Sequence, residues 1–438
     1  MSTVVRVDLP EWSTTQAVVA APTAGDLALA ARLAEDAGGK LDLTWLHDGR
    51  LQVRSTSWVG TVRLSGATIR VVPKYVGEEL GVLRMLEYSS GMRRLRRLPL
   101  ERRLDASGAH LVDLIRRLFV EEVETLVLRG LINDYSEEEE ALPVLRGSLK
   151  VREQVTRRFA RLDALECRFD EFHGDVVANQ LVAAGLSVAR RLTTSAAIER
   201  SVRHLEAMVA EVCHAPTLDA GWYRERLVDN RRTEPYRAAH ELALVLLDHA
   251  GLTDLYAERQ LTSFAFLFDM NEIFEDFVTT LVGDGFAGTG WTVAAQRRAR
   301  GVIVDERTGR SYATLIPDLV LDGPDGRSIP ADVKYKRYDT AKLSSGDIYQ
   351  TFVYSYALTA ADADPLALLI YPSERSAARP QLAIDTPHGR TARIVGLGLP
   401  VPAVLDALST GGAEKAEMLA GLRSQLLGLP GGAARGAG

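Results

Sequence analysis

The sequence predicts a multi-domain protein of the α+β or α/β class, and three observations support this. Short strand-like segments occupy residues 1–100, apolar residues at helical spacing dominate residues 101–260, and strands alternate with helices in residues 261–425. We therefore expect a small β-rich N-terminal domain, a helical middle region and a C-terminal mixed sheet flanked by helices. Residues 426–438 carry too little apolar bulk to order themselves and are expected to form a flexible tail.

The N-terminal region combines one helix with several short strands. Asp26 is placed to cap an amphipathic helix that begins LALAARLAED. The segments LDLTWLH, LQVRSTSWVG and VRLSGATIRVVPKY alternate apolar and polar residues between turn residues, which predicts a small antiparallel β unit. No residue here suggests catalysis, so we expect residues 1–100 to form a partner-docking domain, with a purely structural domain as the alternative.

A basic run follows this β unit. Such a cluster can bind nucleic acid, form a solvated helix end or reach into a ring-shaped ATPase or GTPase partner, and the sequence does not decide among the three. The run consists of Arg93, Arg94, Arg96, Arg97, Arg102 and Arg103.

The middle region is predicted to be helical at 105–132 and 176–250, with apolar stripes that form a core. Glu137 to Glu140 is expected to be a solvated loop. His173 lies among acidic residues, but its neighbour Gly174 favours a turn over a metal site. The segment LRGSLKVREQVTRRFARLD is the best local candidate for DNA contact, through Arg146, Lys150, Arg152, Arg157 and Arg158.

The C-terminal region carries the motifs with chemical meaning, in the order of a metal-dependent nuclease core. A strand-like run from Leu315 to Leu321 contains Pro317-Asp318, and a turn follows at residues 323–326. A second strand-like run from Ser328 to Lys336 contains Asp332-Val333-Lys334. Adjacent strands joined by a tight turn would bring Asp318 and Asp332 together, and the alternation of side chains places Lys334 on the same face as Asp332.

These residue types suit phosphodiester hydrolysis. A divalent ion polarises the phosphate and lowers the pKa of water, and Mg²⁺ prefers a few carboxylates as ligands. Asp318 and Asp332 would bind the ion, with Mn²⁺ as an alternative to Mg²⁺, and Lys334 would orient the attacking water. Gln350 and Tyr354 lie one helical turn apart and can brace the site. Without further support, the same motif is also compatible with a solvated hairpin.

A third carboxylate is available on the predicted helix 269–283, DMNEIFEDFVTTLVG. Apolar residues recur there at helical spacing, and Glu272 and Glu275 lie three residues apart. Either glutamate could be a surface charge or the third metal ligand, and only the family resemblance of this segment favours Glu275 for that role.

The motifs FDMNEIFEDFV, PDLVL, ADVKYK and DIYQTFVYSYAL together resemble the McrC family, the nuclease subunits of McrBC systems that restrict methylcytosine-containing DNA. The resemblance extends over roughly residues 45–375, through GTVRLSGATIRVVPKY and LRGSLKVREQV. The broader assignment is the PD-(D/E)xK superfamily. Val333 stands where a threonine is expected in relatives, but this residue points away from the site.

This resemblance implies a restriction-endonuclease-like core at 261–425 in which Asp318, Asp332 and Lys334 form the catalytic triad. Glu275 and Gln350 match flanking motif positions. It also implies a partner, a hexameric McrB-like AAA+ GTPase, and double-stranded DNA that carries modified cytosine as substrate. Two other functions stay open: a regulatory subunit that stimulates an NTPase ring, and a stand-alone RecB-like nuclease.

Composition excludes several classes of protein. The net charge of −6 restricts DNA contact to local basic patches or to a partner. Two cysteines cannot form a disulfide scaffold or a four-cysteine zinc site. No GxxxxGK[ST] motif occurs, so the motor should be a separate polypeptide. Without a secretory signal or a run of roughly 18–20 apolar residues, we expect a cytoplasmic protein with no membrane segment.

Overall fold

The computed structural model describes residues 4–35, 39–77, 79–89, 111–159, 161, 163–192, 196–251, 263–336, 338, 342–359, 364–374, 381–385 and 391–427. The chain divides into two compact units. One contains residues 1–61, 65–104 and 267–438, and the other contains residues 62–64 and 105–266. The N-terminal and C-terminal regions thus belong to the same unit. The basic run from Arg93 to Arg103 lies outside the described residues, as does the tail from residue 428 onward.

The described residues in the N-terminal part of the first unit form six strands and two helices. They are β1 (Val5–Pro10), β2 (Thr14–Val18), α1 (Ala24–Glu35), β3 (Leu41–Trp45), β4 (Arg50–Ser55), β5 (Trp58–Arg63), β6 (Ala67–Val72) and α2 (Glu79–Ser89). The predicted antiparallel unit is confirmed only in part. Strands β3 and β4 pair antiparallel, and β2 joins them on the other edge of β4. The third predicted segment contains β6, which lies in another sheet and pairs with β1 in parallel.

The first helix begins earlier than predicted. Thr23 precedes α1, and its hydroxyl accepts a hydrogen bond of 3.2 Å from the Asp26 backbone N–H. The Asp26 carboxylate in turn accepts from the Thr23 backbone N–H at 2.9 Å. This reciprocal pair is a capping box, so Thr23 is the cap and Asp26 lies inside the helix.

The second unit is mainly helical, as predicted. Its elements are α3 (Leu111–Arg129), β7 (Asp134–Leu142), β8 (Ser148–Leu149), α4 (Val151–Arg157), β9 (Leu165–His173), α5 (Val177–Arg191), α6 (Ala196–Ala210), α7 (Ala220–Arg226), α8 (Arg237–His249) and β10 (Ala250–Gly251). Helix α5 packs closely on its neighbours at Gly185, where an added Cβ would lie 2.6 Å from the Phe119 ring. His173 is the last residue of β9, and its Nδ1 accepts a hydrogen bond of 3.0 Å from the Asp175 backbone N–H, so its side chain caps the turn at Gly174.

The prediction of a solvated loop at Glu137 to Glu140 is wrong. These residues belong to β7, which pairs with β9 over its whole length. Arg168 on β9 lies 3.5 Å from both Glu137 and Glu139, so cross-strand ion pairs offset the repulsion along the acidic run.

The C-terminal part of the first unit begins in β11 and ends in two helices. Its elements are β11 (Phe264–Asp269), α9 (Met270–Phe286), β12 (Thr292–Ala295), β13 (Ala299–Asp305), β14 (Arg310–Leu315), β15 (Leu319–Asp322), β16 (Ser328–Val333), α10 (Ser345–Leu358), β17 (Leu366–Pro372), β18 (Gln381–Asp385), β19 (Thr391–Leu399), α11 (Val401–Thr410) and α12 (Gly412–Leu427).

A six-stranded mixed sheet forms the core of this part, in the order β12-β15-β16-β17-β19-β18. Strands β12, β15 and β16 are antiparallel, and β16, β17 and β19 are parallel. Every residue of β17 is buried, as expected for a central strand with both faces covered. Helix α10 packs against β16, β17 and β19, and α9 packs against β12 and β16. No helix among the described residues has the length and apolar character needed to cross a bilayer.

Two strands are shorter than predicted. The run from Leu315 to Leu321 is interrupted between β14 and β15, where Pro317 has no backbone N–H to donate. Strand β16 ends at Val333 rather than Lys336. Between β15 and β16, Gly326 adopts a φ of +79°, a conformation that favours glycine, and closes a turn that fixes the pairing of Leu319 with Ala331.

Candidate active site

Asp318 and Asp332 lie side by side at one end of the antiparallel pair β15 and β16, with Asp318 just before β15 and Asp332 within β16. Asp318 directly precedes Leu319 and Asp332 directly follows Ala331, and these two neighbours pair in register. Oδ2 of Asp318 accepts a hydrogen bond of 2.7 Å from the Val333 backbone N–H, so its carboxylate is turned toward β16. The hairpin therefore brings the two predicted carboxylates together.

Asp332 is a completely buried carboxyl group. Burial raises its pKa to about 7, and the charge of Asp318 adds to this increase. Its Oδ1 accepts hydrogen bonds from Lys334 at 3.0 Å and Gln350 at 3.3 Å. Its Oδ2 accepts none within the described residues, although Lys334 Nζ lies 3.0 Å away. A buried carboxylate oxygen without a hydrogen bond is costly, and a bound cation would satisfy it.

Lys334 supplies the positive charge at this pair. Burial lowers the pKa of its ammonium group, but the attraction of Asp332, with Asp318 and Asp347 further off, outweighs burial and leaves the pKa raised. The backbone N–H of Lys334 donates to Ile370 O on β17 at 2.9 Å. The lysine is therefore held in its charged form just beyond the end of β16.

Gln350 and Tyr354 face the carboxylate pair from α10. The Gln350 amide donates to Tyr354 Oη at 2.9 Å as well as to Asp332, and Tyr354 donates to Ile316 O at 3.1 Å. The one-turn spacing thus produces a continuous chain of hydrogen bonds from the Asp332 carboxylate to the segment before Asp318.

Glu275 is close to these residues but does not join them in one cluster. It is half-buried on α9, whereas Glu272 is exposed. Burial raises the pKa of Glu275, and the charges of Asp318 and Lys334 also act on it. Its Oε1 accepts a hydrogen bond of 3.0 Å from Gln296. Among the described residues, no three His, Cys, Asp or Glu side chains are grouped closely enough to hold a metal ion.

A second polar cluster, which the sequence did not indicate, anchors α10. Asp347 is buried and accepts hydrogen bonds from Tyr338, Ser344 and Lys336, with Lys336 Nζ at 3.1 Å. Hydrogen bonding to these three groups outweighs burial, so the pKa of Asp347 is lowered. Ser344, three residues before Asp347, was the available signal, since it caps the helix through the Asp347 backbone N–H.

A buried contact between Glu11 and Tyr335 was also missed. Oε2 of Glu11 accepts hydrogen bonds from Tyr335 at 3.0 Å and from the Lys74 backbone N–H at 2.7 Å. Tyr335 follows Lys334 directly, so the N-terminal part of this unit reaches the residue next to the candidate site. No local sequence pattern could have revealed a contact between such distant residues.

The predicted DNA-contact segment lies in the second unit and is largely neutralised. Lys150 pairs with Glu139, Arg158 pairs with Glu166 at 2.9 Å, and Arg146 lies 3.4 Å from Glu171. The other two predicted residues, Arg152 and Arg157, are exposed on α4.

A comparison with protein families identifies the family of this chain. The chain matches the family described as "McrBC 5-methylcytosine restriction system component" over residues 53–372. Its fold is similar to that of a chain in the refined half-complex from a tetradecameric assembly of Thermococcus gammatolerans McrB AAA+ hexamers with bound McrC. That similarity has a TM-score of 0.62 at 16% identity and covers 97% of this chain and 100% of that chain.

A chain in the cryo-EM structure of the Thermococcus gammatolerans McrBC complex gives a TM-score of 0.45 at 19% identity, covering 65% of this chain and 88% of that chain. No curated protein sequence matches. The family match spans well over half of the 438 residues and includes Glu275, Asp318, Asp332, Lys334 and Gln350. The chain therefore belongs to the McrBC family of 5-methylcytosine restriction system components.

Proposed function

We propose that this protein is the cleavage subunit of a McrBC-type restriction system, a metal-dependent DNA endonuclease. The observation that carries the proposal is the carboxylate pair of Asp318, just before β15, and Asp332, on β16, with Asp332 completely buried beside the charged Lys334. A protein seldom buries a carboxylate whose Oδ2 accepts no hydrogen bond unless a function requires it. The six-stranded sheet is, in this proposal, a PD-(D/E)xK nuclease core.

The side chains present fit a hard divalent cation, Mg²⁺ or Mn²⁺. Asp318 and Asp332 supply adjacent carboxylate oxygens, and Oδ2 of Asp332 lacks the hydrogen bond that burial would otherwise demand. Glu275, which is close enough to act electrostatically on Asp318, would contribute further negative charge. When bound, the cation would polarise the scissile phosphate and lower the pKa of water.

The remaining residues have roles that follow from their contacts. Lys334, held in the charged form, would orient the attacking water and stabilise the negative charge that builds on the phosphate. Gln350 donates to Asp332 and thereby fixes the plane of its carboxylate, and Tyr354 fixes Gln350 in turn. Such supporting hydrogen bonds orient metal ligands and strengthen their binding.

The partner and substrate follow from the family. Members are 5-methylcytosine restriction components, and the similar solved assembly contains McrB AAA+ hexamers with bound McrC. We infer that this chain works with a hexameric McrB-like AAA+ GTPase and cuts double-stranded DNA that carries modified cytosine. Arg152 and Arg157, exposed on α4, are the residues of the predicted basic segment best placed to contact DNA.

The test is cleavage of methylcytosine-containing DNA by the full chain with its AAA+ partner, GTP and Mg²⁺. Asp332→Asn should abolish cutting but leave stimulation of GTP turnover intact, which separates the nuclease from a purely regulatory subunit. Asp325→Asn is the matched control, because Asp325 is an exposed carboxylate in the turn of the same hairpin. Cutting by Asp332→Asn at the rate of the control would refute the proposal, and cutting of plain DNA without the partner would favour a stand-alone nuclease.

A further inference from the structure

Gln296 has an unusual backbone conformation next to the candidate site. It follows β12 directly and has a φ of +44°. Among the described residues, Trp12 is the other non-glycine residue with a positive φ. A side chain in this region costs roughly 1 kcal/mol or more and persists where surrounding contacts enforce it. The contacts of Gln296 therefore need an explanation.

Those contacts join two candidate metal-site residues on different elements. The Gln296 backbone N–H donates to Asp318 O at 2.9 Å, which extends the antiparallel pairing of Ala295 with Leu319 by one position. The Gln296 side-chain amide donates to Glu275 Oε1 at 3.0 Å. One residue thus holds both the backbone of Asp318 and the carboxylate of Glu275.

The type of side chain that donates to Glu275 determines how much negative charge the carboxylate keeps. An arginine or lysine in this place would neutralise Glu275, whereas the amide of Gln296 orients the carboxylate and leaves its negative charge available to a cation. Gln296 thus combines a left-handed backbone, held to Asp318, with a side-chain hydrogen bond to Glu275 on α9.

We propose that Gln296 is a positioning residue that holds Glu275 beside Asp318 so that its charge strengthens the binding of a divalent cation. The inference rests on the proposed nuclease function, since it assumes a cation at Asp318 and Asp332. It adds a residue that none of the motifs PD, DxK or QxxxY contains.

The experiment measures Mn²⁺ binding to the purified full chain, by electron paramagnetic resonance of free Mn²⁺, without DNA or partner. Gln296→Glu keeps the size of the side chain, removes the donor and repels Glu275, so the affinity for Mn²⁺ should fall roughly 10-fold or more. Gln296→Gly removes the amide and relieves the backbone, and should give a smaller loss. In a Glu275→Gln background, the Gln296→Gly change should have almost no further effect, because the two residues act as a unit.

The outcomes separate the two proposals. The metal site is supported if the native chain binds Mn²⁺ and Asp332→Asn abolishes this binding. If Gln296→Gly then binds Mn²⁺ with the affinity of the native chain, the role of Gln296 is refuted while the metal site stands. If the native chain and Asp332→Asn both fail to bind Mn²⁺, the proposed function itself is refuted. Thermal unfolding identifies a merely structural role: Gln296→Gly would then change stability equally with and without Glu275 and leave the Mn²⁺ affinity unchanged.

Discussion

Tyr335 donates a hydrogen bond of 3.0 Å to Glu11, although the two residues are 324 positions apart in the chain. Glu11 is completely buried, and its Oε1 accepts no hydrogen bond from the described residues. Burial raises the pKa of Glu11 to about 8, and the charge of Asp269 adds to this increase. The hydrogen bonds from Lys74 and Tyr335 lower the pKa but do not outweigh burial. The folded chain therefore retains a proton that the unfolded chain would release.

This proton makes stability depend on pH. The unfolded carboxyl ionises near its ordinary pKa of 4.5 and the folded one near 8, so the folded state binds more protons between these values. The contribution of Glu11 to the free energy of unfolding is complete below about pH 4.5 and is lost as pH rises to about 8 and above. The loss amounts to a few kcal/mol.

We expect Glu11→Gln to flatten the decline in stability over this range. Urea unfolding of the native chain and the variant at a series of pH values measures the difference. Glu417→Gln, at an exposed glutamate of α12, is the control and should follow the native curve. An unchanged pH dependence in Glu11→Gln would show that Glu11 is already ionised in the folded protein.

The pair of Asp332 and Lys334 should behave as a coupled unit in stability. Lys334→Met leaves a buried carboxylate without its cation, so we expect the free energy of unfolding to fall by about 3 kcal/mol at roughly pH 8. The double variant Asp332→Asn with Lys334→Met removes both charges and should recover most of this loss. Chemical denaturation of Asp332→Asn, Lys334→Met and the double variant measures the coupling, and additive losses would contradict it.

The hydrogen-bond chain from α10 should matter more for cleavage than for stability. Gln350→Ala removes the donor that orients Asp332, so cleavage should fall roughly 10- to 100-fold with little change in thermal unfolding. Tyr354→Phe keeps the Gln350 amide next to Asp332 and should cost less. Tyr349→Phe is the control, because Tyr349 is 68% exposed on the same helix. Equal cleavage by Gln350→Ala and the control would exclude this role.

The turn between β15 and β16 should require glycine. Gly326 has a φ of +79°, so Gly326→Ala is expected to lower the free energy of unfolding by about 1 kcal/mol. Gly421 lies inside α12 with no atom within 4 Å of an added Cβ, and Gly421→Ala should instead raise stability by about 0.5–1 kcal/mol. Denaturation curves of the two variants test whether their changes in the free energy of unfolding have opposite signs.

Local sequence patterns predicted the contacts between residues that are close in sequence or that recur with the period of a strand or a helix. The hairpin that joins Asp318 to Asp332 and the one-turn spacing of Gln350 and Tyr354 are both of this kind, and the structure brings these four side chains together. The mixed sheet was predictable from alternating strands and helices.

Other features depend on tertiary contacts that no local pattern reports. The strand at Glu137 to Glu140 exists because β9 offers it a partner and Arg168 offsets its charge. The conformation of Gln296 depends on Asp318 and Glu275, which come from other elements. Such contacts override the local preferences on which sequence-based prediction rests.

The bond between Glu11 and Tyr335 also bears on biosynthesis. At ribosomal rates of about 5–20 residues per second, the 324 positions between them take roughly 15 to 65 s to translate. Glu11 therefore cannot form this hydrogen bond until Tyr335 leaves the exit tunnel, whereas all residues of the second unit, 62–64 and 105–266, are translated before Tyr335. A nascent chain that stalls before Tyr335 would expose the unfinished first unit, and the candidate nuclease site would be assembled only near the end of synthesis.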